Sequence, residues 1–121
     1  NAAETELARA MHAAVWDEPV MLLPNFRLIK RQTTVLDAPV TPSSFEVIYF
    51  DAFAPNKQPE MWTPEVLNKM YAILAPGGVL TTYCAQGQLK RDLRGCGFRV
   101  HSLPGPPGKR EMIRAEKTER M

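Results

Sequence analysis

Residues 45–64 read FEVIYFDAFAPNKQPEMWTP, and the succession of apolar run, acid and proline loop in this stretch decides the fold. From Val47 to Phe50 the run has no polar break, so it reads as a strand buried on both faces. Such strands belong to parallel sheets covered by helices on each side. The run ends in Asp51, and a loop stiffened by Pro55 and Pro59 follows. Thr63 then suits an N-cap and Pro64 the first helical position, where its missing N–H costs nothing. In open α/β sheets ligands bind beyond the carboxyl ends of the strands. Asp51 therefore stands where a carboxylate can meet one.

Downstream, Val66, Leu67, Met70, Tyr71, Ile73 and Leu74 form an apolar stripe at helical spacing, closed by Pro76-Gly77-Gly78. Val79 to Tyr83 is the next strand. A second helix spans about Gln86 to Arg94, with Leu89 and Leu93 one turn apart. Phe98 to Leu103 and Arg110 to Ala115 are two further strands around a Pro/Gly loop, and Glu116 to Met121 reads as a frayed end. Strand-helix alternation predicts a mostly parallel sheet. The final two strands are joined too closely for a parallel crossover and should pair antiparallel.

Upstream, residues 4–16 place Leu7, Ala10, Met11, Ala14 and Val15 at helical spacing, with His12 a surface or packing residue and Trp16 an anchor. Met21 to Leu23 is a short apolar run. Phe26 to Lys30 alternates like a strand, and Gln32 to Leu36 reads as its continuation or partner. The chain opens at Asn1 within a helical pattern, without an initiating Met or a preceding strand, which reads as a fragment.

At 121 residues the chain is one domain at most, and 45% apolar with 23% charged residues argues for a folded protein. No apolar run approaches the roughly 20 residues of a membrane span. No signal peptide pattern is present. Cys84 and Cys96 do not make a disulfide scaffold, although a single bridge stays open, and a reducing cytoplasm is the expected compartment. Neither has metal-ligand spacing to His12 or His101, so no metal is expected. Residues 1–85 hold six Lys/Arg against nine Asp/Glu, and residues 86–121 nine against four. A basic tail half fits either a polyanionic partner or a solvated surface.

Neither common Gly-rich phosphate loop nor a Gly-x-Ser-x-Gly elbow occurs in the chain. Chemistry is left to the strand ends: Asp51, the Cys84 to Gln88 segment, and the Gly105 to Arg110 loop. Asp51 has two readings, a functional carboxylate or an acceptor for the N–H groups of its own turn. Phe53, Met61 and Trp62 can shelter a flat heterocycle or pack in the core. Lys109 and Arg110 end a rigid Pro/Gly loop and suit phosphate contacts, as Lys90, Arg91 and Arg94 do more weakly; ordinary solvation is the other reading.

The segments IYFDAFAPNKQPEMWTPEVL, PGGVLTTYC and LPGPPGKREMIRA resemble the C-terminal part of a class I S-adenosylmethionine-dependent methyltransferase. They resemble specifically the family that methylates the aminomethyl group of 5-aminomethyl-2-thiouridine at the wobble position of transfer RNA, in its free-standing form. The resemblance covers roughly residues 7–117. It implies an α/β fold, a partial Rossmann-like methyltransferase sheet that carries the antiparallel C-terminal pair. Residues 1–121 would be the C-terminal part of one domain, without the early strand whose glycine loop cradles the cofactor. It also implies S-adenosylmethionine as cofactor, with Asp51 and Ala52 beside it and Asp51 the catalytic carboxylate. Phe53, Pro55, Met61 and Trp62 would wall the substrate pocket, and the loop with Lys109 and Arg110 would lie near the RNA. An apolar sheet edge would stay open to a second copy or a swapped dimer. Two other functions fit the same residues: an inactive RNA-binding remnant, and a methyltransferase for small amines.

Overall fold

The computed structural model describes residues 1–52, 55–104 and 111–118. The chain divides into two compact units, residues 1–38 and 39–121.

The first unit holds helix α1 (Ala2–Ala13) and a hairpin of β1 (Val20–Leu23) and β2 (Phe26–Leu28). A capping box starts α1: the Asn1 side chain accepts from the Glu4 N–H at 2.9 Å, and the Glu4 carboxylate accepts from the Asn1 amine at 3.1 Å. Leu7, Met11 and Ala14 are half-buried along its stripe, and none of its residues is fully buried. Trp16 is not a buried anchor. It is 52% exposed and lies under the Lys30 ammonium, 4.7 Å from the ring centroid. The strand expected over Gln32 to Leu36 is a turn instead. The Thr34 hydroxyl accepts from the Asp37 N–H at 3.2 Å and the Thr34 carbonyl from the Ala38 N–H at 3.0 Å, which gives the backbone a local alternative to a ladder.

In the second unit, β3 (Phe45–Tyr49), α2 (Pro64–Ile73), β4 (Leu74–Thr82), α3 (Gly87–Gly95), β5 (Phe98–Pro104) and β6 (Glu111–Lys117) follow the expected order. The Thr63 hydroxyl caps α2 by accepting from the Val66 N–H at 3.3 Å. The sheet order is β3-β4-β6-β5. β3 and β4 are parallel, and β6 runs antiparallel to both β4 and β5, so β3, β4 and β5 share one direction. The antiparallel terminal pair is as expected. The position of β6 between its two neighbours is a feature that local pattern does not carry.

β4 begins directly at the end of α2. Leu74 pairs with Phe45, the chain bulges outward, and pairing resumes at Val79 opposite Val47. Two glycines make the bulge possible. Gly77 has φ +82°, and a side chain at Gly78 would meet the Ala75 carbonyl oxygen at 2.8 Å.

One sheet face is covered. Phe50, Leu80, Thr82, Ile113, Ala115 and Phe98 are buried together with Val66, Leu67, Met70 and Ile73 of α2 and Leu89 and Leu93 of α3. The intervening positions Val47, Tyr49, Tyr83, Arg99, His101 and Arg114 are exposed. β3 is thus not buried on both faces. It is an edge strand of this sheet, with Val47 45% and Tyr49 82% exposed. An unbroken apolar run reports that a strand can be covered, not that the chain covers it. The expected frayed end also differs, because Glu116 and Lys117 belong to β6. Lys117 is buried. Its ammonium donates to the Leu74 carbonyl at 2.8 Å and sits 4.8 Å from the Tyr71 ring centroid.

Candidate active site

The parallel register that sets Tyr49 beside Thr81 brings the carboxyl ends of β3 and β4 together. The ladder extends one residue further, with the Phe50 N–H donating to the Thr81 carbonyl at 2.9 Å. Phe50 is buried against Trp62, ring centroids 4.8 Å apart and planes at 57°. Asp51 follows a residue held by both backbone and side chain. After β4, the buried Thr82 hydroxyl accepts from the Cys84 N–H at 3.2 Å and fixes the opposing turn.

Between these ends lies a cleft of about 250 Å³ lined by Tyr49, Phe50, Asp51, Thr81, Thr82, Tyr83 and Met112. Asp51 is exposed at its rim, and its carboxylate accepts no hydrogen bond from the described residues. The reading in which it bonds within its own turn involves Phe53 and Ala54, which lie outside the described residues. Tyr49, Tyr83 and Met112 carry no signal of a site in the sequence pattern. Their contribution depends on strand ends that meet only through long-range pairing.

The other expected pocket residues divide. Ala52 is half-buried beside Asp51. Pro55 and Trp62 line a second hollow of about 220 Å³ with Pro59, Gln86, Gln88, Leu89 and Asp92. Trp62, 8% exposed, is a core residue and a wall of this hollow at once. Met61 is half-buried in a 3-10 turn, Pro59–Met61, and lines neither cavity. Phe53, Lys109 and Arg110 lie outside the described residues. Lys90 forms an ion pair with Glu111 at 3.1 Å, which commits part of its charge within the fold. Arg91 is exposed and donates to the Gln88 side-chain oxygen at 2.9 Å.

Cys84 and Cys96 are half-buried and stand as free thiols. Burial, reinforced by the nearby Asp92 charge, pushes the Cys96 thiol above its ordinary value of 9.0. Among the described residues no cluster of three or more His, Cys, Asp or Glu could hold a metal ion. No described helix is long and apolar enough to cross a membrane.

The model of a family described as S-adenosyl-L-methionine-dependent methyltransferase matches residues 26–118. A protein of Pseudoalteromonas atlantica, named tRNA 5-methylaminomethyl-2-thiouridine biosynthesis bifunctional protein MnmC, is 42% identical over 65 residues, 54% of this chain and 9% of that protein. The protein of the same name from Paracidovorax citrulli is 30% identical over 130 residues, 91% of this chain and 18% of its own length. The chain thus spans less than a fifth of these relatives. Among solved structures, the N-methyltransferase NodS of Bradyrhizobium japonicum WM9 superposes with a TM-score of 0.52 at 15% identity, over 75% of this chain and 60% of NodS. At that identity the likeness speaks for the fold, a class I Rossmann-like methyltransferase sheet of mixed topology. The match over residues 26–118, on a sheet of this order, places the chain in the S-adenosyl-L-methionine-dependent methyltransferase family, related to the MnmC tRNA-modification proteins and with S-adenosylmethionine as its methyl donor.

Proposed function

We propose that this chain serves methyl transfer from S-adenosylmethionine to the exocyclic amine of 5-aminomethyl-2-thiouridine at the wobble position of transfer RNA, in the intact enzyme. The observation that carries the reading is the Asp51 carboxylate, free of bonds from the described residues, at the rim of the cleft between β3 and β4. The choice of substrate rests on the names of the relatives that are 30% and 42% identical.

The residues present fit one end of the donor. Cofactor-sized sites run from about 300 to 1,000 Å³, so a cleft of about 250 Å³ takes only a portion of one. An acid flanked by the Tyr49 and Tyr83 rings suits a cation such as a sulfonium. No G-x-G-x-x-G loop occurs in these 121 residues to hold the remainder. When bound, the donor supplies an electrophilic methyl group on positively charged sulfur.

The residues of the chain serve the other reactant. A reacting amine must be neutral, with its lone pair directed at the methyl carbon. Asp51 orients it by accepting one N–H and takes up the proton that the nitrogen releases once alkylated. The donor would supply the methyl group and keep the sulfur's electron pair, and the proton that the nitrogen releases passes through Asp51 to water.

In the intact enzyme, methylation of hypomodified transfer RNA should fall at least about 100-fold in Asp51→Asn, the lower end of what a positioned acid-base group contributes. Affinity for the RNA should change far less. Undiminished turnover would remove Asp51 from the reaction. Labelling of free small amines but not of RNA would favour a small-molecule methyltransferase instead.

A further inference from the structure

Two cavities are each lined by one member of a contacting ring pair. Phe50 lines the cleft that holds Asp51, Trp62 lines the neighbouring hollow, and the ring centroids are 4.8 Å apart. The hollow offers the Trp62 indole and the Pro55 and Pro59 rings as apolar walls, with side-chain amides at its edge. Its volume of about 220 Å³ lies below the roughly 300 Å³ at which drug-sized sites begin, which suits a single planar ring.

The two amides are in different states. Gln88 is held in one orientation, its amide N–H donating to Asp92 Oδ1 at 2.8 Å and its oxygen accepting from Arg91 at 2.9 Å. Gln86 occupies the N-cap of α3 but makes no capping bond, and it has no side-chain hydrogen bond with the described residues. It therefore brings one acceptor and two donors to the hollow unspent.

We infer that this hollow is a nucleobase subsite, which takes the base next to the reacting nucleotide in a single-stranded RNA segment, with Gln86 reading that base's edge. Single-stranded RNA is recognised in this way, by bases splayed onto aromatic side chains and hydrogen-bonded along their edges. The reacting base is assigned to the other cavity, because its amine must reach Asp51, which lines the cleft and not the hollow. The inference rests on the RNA substrate proposed above and adds a specificity residue to it.

The test uses the intact enzyme and synthetic anticodon stem-loops that differ in the nucleotides flanking the reacting one, with kcat/KM as readout. Wild type should discriminate about tenfold between best and worst flanking bases, and Gln86→Ala should shrink this to roughly threefold or less, the scale of one side-chain-to-base contact. Gln86→Glu, which exchanges donors for acceptors, should reorder the preference. An identical preference in wild type and Gln86→Ala, or none in wild type, overturns the subsite. A raised KM for S-adenosylmethionine with the preference intact overturns it too, since the hollow would then serve the donor. If no stem-loop is methylated at all, the RNA substrate fails and the subsite with it. If stem-loops are methylated with unchanged ratios, only the subsite fails.

Discussion

Lys117 shows how a charge is accommodated inside this fold. Its ammonium satisfies the Leu74 carbonyl where α2 passes into β4, and it rests on the Tyr71 ring, which itself packs edge-on against Phe98. Lys117→Met preserves the stem but leaves that carbonyl unpaired. The expected loss is about 1–3 kcal/mol, read from the denaturant midpoint of the intact protein. Cys96 has a distinct pH signature. Because its folded pKa is raised, the fold binds the thiol proton more tightly than the unfolded chain does. The stability it contributes is fully present below the ordinary value of 9.0 and is lost as pH rises through the folded value. Alkylation of Cys96 should therefore be slower in the native protein than in the denatured one at the same pH, and Cys96→Ala should lose less stability above pH 9.0 than wild type.

Helix α2 was legible almost residue by residue, and the reason is local. Its cap, its first-turn proline and its i, i+3, i+4 stripe all lie within fourteen residues of Pro59, and the buried Val66, Leu67, Met70 and Ile73 fall on the expected face. Leu67 is fully buried on the inner face of α2. Leu67→Ala should cost about 2–5 kcal/mol by lost transfer energy and the cavity left behind, measurable as a lowered unfolding midpoint. Strand β3 was legible as a strand but not in its setting. Its apolar composition marked it as a strand, whereas its place at the sheet edge depends on what stands beside it.

Across the whole molecule, charge is uneven. Among the described residues of the tail half, Arg91, Arg94, Arg99 and Arg114 fall on exposed positions of α3, β5 and β6. Lys90, paired with Glu111, and the buried Lys117 are exceptions. On the proposed function, replacing Lys109 and Arg110 together by alanine should weaken RNA binding. The slope of log affinity against log salt should also flatten by up to roughly 1.4, at about 0.7 per phosphate contact in single strands. An unchanged slope would assign both residues to plain solvation.

Patterns a few residues long determined that α2, α3 and β3 are helix, helix and strand and that Asp51 follows a strand, while β4 starts at Leu74 rather than at the expected Val79 and Gln32 to Leu36 is no strand. They report backbone preference and the spacing of apolar side chains, which neighbours in sequence settle among themselves. The tertiary structure alone decided that β6 enters between β4 and β5, that Val47 and Tyr49 of β3 are exposed, that Lys117 is buried, and that the Phe50 and Trp62 rings meet. Those outcomes are set by contacts between residues distant in the chain, and no local period encodes which distant partner a strand or a ring will meet.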